Sequence, residues 1–98
     1  MDTYYFIFEA EPKMENPLID HVSRAVVHLW VCSMDIDEAR VHALRYFQSE
    51  GWEVAAEKDA YLLTPEQIDA LGPEELSNYQ AVQSEGIHAT FYYWHRSE

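Results

Sequence analysis

Two stretches near the start of the chain, TYYFIFE at 3–9 and AVVHLWVCS at 25–33, are runs of aromatic and β-branched residues, and they predict strands. The segment between them carries Pro12 and Pro17 among mixed polar residues and reads as a long irregular loop, a candidate lid or binding loop. A helical period follows. Ile36, Ala39, Ala43 and Phe47 recur at helical spacing, Asp35 stands at the N-cap position with Glu38 three residues on, and Gly51 closes the segment. This predicts a helix that lays one face on a sheet.

WEVAA at 52–56 and YLLT at 61–64 flank EKDA, whose Lys58-Asp59 pair suits a tight turn, so a hairpin of two short strands is expected. A broken helix comes next: Thr64 caps it, Pro65 fits the first turn, Gln67 completes a capping box, and Gly72-Pro73 interrupts it. Leu76, Tyr79 and Val82 carry its second piece to Gly86, after which IHATFYYWH forms a last strand.

From residue 25 onward the order is strand, helix, hairpin, helix, strand. It predicts a single α+β domain over 1–98, a ferredoxin-like βαββαβ sandwich with an extra N-terminal strand and two helices on one face of a mostly antiparallel sheet. Such an arrangement carries no function with it.

Side chains alternate between the faces of a strand. Val27, Leu29 and Val31, with Ile87, Ala89, Phe91 and Tyr93, form the apolar set expected beneath the helices. The other set holds Val26, His28, Trp30, Cys32, His88, Thr90, Tyr92 and Trp94. Left bare, it would be a larger apolar patch than soluble monomers usually show. Face-to-face homodimerisation through His28, Trp30, His88, Tyr92 and Trp94 is the leading expectation. Cover by the N-terminal strand and the loop at 10–24, or an aromatic ligand pocket between sheet and loop, are the alternatives.

Charge narrows the partners. Six Lys and Arg face eighteen Asp and Glu, a formal net charge of -12, which argues against direct binding of nucleic acid. Between Lys58 and Arg96 every formally charged residue is acidic, Asp69, Glu74 and Glu75 among them. That half of the chain is expected to be a solvated acidic face, or a surface for a basic protein partner through Asp69, Glu74 and Glu75. One cysteine excludes an internal disulfide. The start of the chain lacks a secretory pattern and no apolar run is long enough for a bilayer, so a cytoplasmic protein with no membrane partner is expected.

Chemistry-bearing constellations are weak. His28 and Cys32 lie four apart on a strand, about 13 Å at roughly 3.3 Å per residue, too far to share an ion. Asp35, Asp37 and Glu38 complement a helix dipole. No phosphate loop, GxSxG, HExxH or CxxC occurs, so no catalytic residue, metal or cofactor is assigned. The leading reading is a small non-enzymatic protein-binding or regulatory module, homodimeric and in contact with a basic partner. The alternatives are a small enzyme or ligand-binding protein using the aromatic and histidine face, and an acidic decoy or immunity-type inhibitor of a nucleic-acid-binding protein.

Overall fold

Strands β1 (Asp2–Pro12) and β2 (Val22–Ser33) form the centre of the sheet, antiparallel and in continuous register from Asp2 opposite Ser33 to Ala10 opposite Ala25. A computed structural model describes residues 1–96. Beyond β2 come α1 (Ile36–Ser49), β3 (Trp52–Leu62), α2 (Pro65–Asp69), α3 (Pro73–Glu85) and β4 (Ile87–His95). The four strands lie in the order β3-β1-β2-β4 with every pair antiparallel. The class is α+β: among the described residues, an open four-stranded sheet with three helices.

Local signals act as their chemistry dictates. The Asp35 carboxylate accepts the Glu38 N–H at 2.8 Å and starts α1. Thr64 and Gln67 close a reciprocal capping box on α2. Gly86 ends α3 at φ +85°, a left-handed conformation that costs glycine little, and its N–H bonds the Val82 carbonyl at 2.8 Å.

Three expectations are corrected. First, the strands are longer than their aromatic runs, and the irregular connection shrinks to 13–21. It is fastened rather than free. Asn16 is buried, its Nδ2 donates to the Gly51 carbonyl at 3.0 Å, and its Oδ1 accepts the Leu18 N–H at 2.8 Å.

Second, the hairpin expected at 52–64 is one strand. Its register shifts twice, opposite Ile7/Phe8 and Glu9/Ala10, and these bulges pass over Lys58 and Ala55. The polar residues that resemble a turn are therefore a bulge on an edge strand. The ferredoxin-like order depended on that hairpin; the order found is ββαβααβ.

Third, the helices take opposite faces. Ala39, Ala43 and Phe47 of α1 pack on Phe6, Phe8, Val27, Leu29 and Val31, with Phe47 edge-on to Phe8 at 5.2 Å between centroids. On the other face, Val82 of α3 and Leu63 close over Trp30, joined by Tyr5, Tyr61, Ile68, Leu71 and Tyr79. A hairpin would have returned the chain to the end of the sheet where α1 finishes. A single strand delivers it instead to the opposite end. There the Leu63 N–H bonds the Thr3 carbonyl at 3.0 Å, and the Leu63 side chain turns onto the second face. No helix among the described residues is long and apolar enough to cross a membrane.

Candidate functional site

Helix α3 covers only part of the second face. Its N-cap residue is Gly72, which supplies no side-chain cap, and its first turn sets Glu74 and Glu75 above the sheet. Between that turn and the strands lies a cleft of ≈ 310 Å³. Tyr5, His28, Trp30, Thr90 and Tyr92 line it from the sheet, and Glu74, Glu75 and Asn78 from the helix.

The aromatic rings meet edge to face: Tyr5 and Trp30 at 5.1 Å, Tyr5 and His28 at 5.7 Å, His28 and Tyr92 at 5.1 Å. The Tyr5 hydroxyl is hydrogen-bonded to His28 Nδ1. Burial, reinforced by the Tyr61 and Tyr92 hydroxyls and the Glu75 and Asp59 carboxylates, pushes the Tyr5 phenol up to about 12. Burial also lowers the His28 imidazole below its ordinary value. At neutral pH Tyr5 therefore keeps its proton and the lowered His28 imidazole is largely uncharged. Among the described residues no Lys or Arg lines the cleft.

The structure brings together residues that belong to two separate expectations. His28, Trp30 and Tyr92 share this cleft with Glu74 and Glu75. Trp30 is only 3% exposed, the cleft's inner support rather than a free surface. Tyr92 is 54% exposed. Trp94, 50% exposed, stands outside the cleft with the Arg24 guanidinium 5.7 Å from its ring. His88 lies opposite Trp30 on β4, half-buried and away from the lining. Asp69 is exposed on α2 and does not join.

Tyr5 and Asn78 are cleft residues that sequence reasoning missed, while Thr90 lies on the face that strand alternation gave it. The alternation of TYYFIFE puts Tyr5 opposite in facing to Phe6, but its meeting with His28 follows from the register, in which Tyr5 opposes Trp30 and Ile7 opposes His28.

Another hollow of ≈ 400 Å³ lies between α1 and the start of β4. Its charges are mixed, Arg45 against Glu85. Among the described residues no group of three His, Cys, Asp or Glu could hold a metal ion. Cys32 is a free thiol within 3.5 Å of the Val82 carbonyl. Compared with known proteins, the chain matches no family model, no curated protein and no solved structure.

Proposed function

We propose that this chain is a protein-binding module that receives a cationic side chain, Lys or Arg, from a basic partner in the cleft under α3. One observation carries the reading: Glu74 and Glu75 overhang the same cleft as the rings of Tyr5, Trp30 and Tyr92. A cation there meets carboxylates on one side and the negative faces of aromatic rings on the other, with no lining cation to repel it. His28, held neutral, adds no positive charge. The formal net charge of -12 draws a basic partner in from a distance. A single free cysteine suits the cytoplasmic setting expected of such a module.

The test is titration of the labelled protein with a short arginine-rich peptide, followed residue by residue by NMR. The expected result is shifts centred on Tyr5, His28, Asn78 and Tyr92, and about tenfold weaker binding in Glu74→Gln/Glu75→Gln, equivalent to about 1.4 kcal/mol. Shifts spread evenly over the acidic surface and indifferent to those substitutions would overturn it, and would favour the acidic decoy reading.

A second reading, a small-molecule site in the same cleft, draws on the Tyr5–His28 pair, a protonated phenol beside a neutral imidazole at the wall of a cavity of suitable size. Its ligand would be a small cation or a neutral donor, since the carboxylates repel anions.

A further inference from the structure

The two edges of the sheet are unlike. β3 is guarded in the ways that natural edge strands are: it carries Glu53, Glu57, Lys58 and Asp59, and two bulges break its register with β1. β4 carries no such charges, and the one shift in its ladder with β2 falls at the far end, between Val22 and Arg24, with the extra residue on β2. Its nine residues, Ile87–His95, contain no Asp, Glu, Lys, Arg, Pro or Gly. Its register with β2 is unbroken from Ile87 to Trp94, and no other strand among the described residues pairs with its far side.

The backbone groups on that free side can be named. At the two ends of β4 the bonds to β2 come from Gly86, whose carbonyl accepts the Cys32 N–H, and from Arg96, whose N–H donates to the His21 carbonyl. Antiparallel pairing alternates every residue. Even-numbered residues of β4 therefore face β2, and the outward N–H and C=O groups belong to Ile87, Ala89, Phe91, Tyr93 and His95.

We propose that β4 pairs edge to edge with β4 of a second copy of this chain, antiparallel about a two-fold axis at Phe91, joining the two sheets. Charge selects the occupant. The chain bears a formal net charge of -12, yet β4 holds no formal charge, so two copies meet here without opposing carboxylates, whereas a basic strand would find no acid on β4 to pair with. The two-fold at Phe91 is the one register that pairs the strand along its whole length. It sets Ala89 against the second copy's Tyr93 and Thr90 against its Tyr92, with Trp94 against its His88. These are aromatic pairs with small or polar partners of the kind that stabilise antiparallel ladders. Tyr92, Tyr93 and Trp94, exposed by 54%, 42% and 50%, all gain cover. This interface differs from the face-to-face dimer expected from strand alternation, because Trp30 is already sealed beneath α3.

The experiment is sedimentation of the full chain across concentration and salt, combined with amide hydrogen exchange. The expected result is a dimer that tightens as salt rises, because the two copies repel overall. In it the amides of Ala89, Phe91 and Tyr93 become protected as concentration increases, while those of Thr90 and Tyr92 are protected throughout. Tyr93→Pro, which removes an outward N–H and no bond to β2, gives a folded monomer. Tyr93→Lys, which keeps the N–H and adds an edge charge, weakens the dimer at least tenfold should the proline variant not fold. A chain that stays monomeric at millimolar concentration, or a dimer in which the odd-numbered amides exchange freely, overturns the proposal.

Discussion

The Tyr5 hydroxyl and His28 Nδ1 are hydrogen-bonded across the two central strands, and burial of that imidazole ties the stability of the fold to pH. Burial holds the folded imidazole below the 6.5 of an exposed histidine. The unfolded chain thus takes up a proton near 6.5 while the folded chain resists it. The contribution of His28 to stability is full above about pH 6.5 and is lost as pH falls toward the lowered folded value. Urea denaturation at pH 7.5 and 5.5 is expected to show a loss in the wild type that is smaller in His28→Gln.

Asn16 gives the second prediction. It fastens the 13–21 connection from inside, and Asn16→Ala leaves the Leu18 N–H without the oxygen that accepts it at 2.8 Å. The bond is part-buried, and a donor left unmet in such a site costs at most about 1 to 3 kcal/mol. The expected destabilisation is about 2 kcal/mol by chemical denaturation, against almost none for Pro17→Ala at the exposed neighbour.

At the start of α1, only Asp35 among the neighbouring acids accepts a backbone N–H at the cap. Asp35→Ala should cost about 1 kcal/mol. Asp37→Asn loses a dipole interaction and an ion pair with Arg40 at 3.3 Å, both at an exposed site, and should cost only a few tenths. Equal effects in the two variants would show that charge, not the capping bond, governs this terminus.

Much of this fold is legible residue by residue. The strand at 25–33, the helix stripe Ile36, Ala39, Ala43 and Phe47, and the division of β2 and β4 into two faces all follow from local period, and the structure has them so. Lys58-Asp59 misleads because a bulge and a turn use the same polar residues; only pairing with β1 distinguishes them. The placing of α3 on the second face then follows from where a single strand delivers the chain, which no local pattern encodes. Glu74 and Glu75 therefore read as a solvated helix turn. Their meeting with His28 and Tyr92 is a product of topology.

That topology makes the last prediction specific. Val82 is fully buried on α3 and packs with Trp30 and Leu63, but it does not line the cleft. Val82→Ala removes packing that holds the helix to the sheet, at a cost of roughly 2 kcal/mol by the scale of core truncations. The α1 core is separate, built on the other face around Phe6, Phe8 and Phe47. Native-state hydrogen exchange is therefore expected to show faster opening of α2 and α3, with α1 and the β1–β2 ladder still protected. If the cleft works as proposed, the same variant binds the arginine-rich peptide more weakly although every cleft residue is intact, because Glu74 and Glu75 are held over Tyr5 and His28 only while α3 is docked. Uniform loss of protection across both faces would mean that the two cores unfold as one unit.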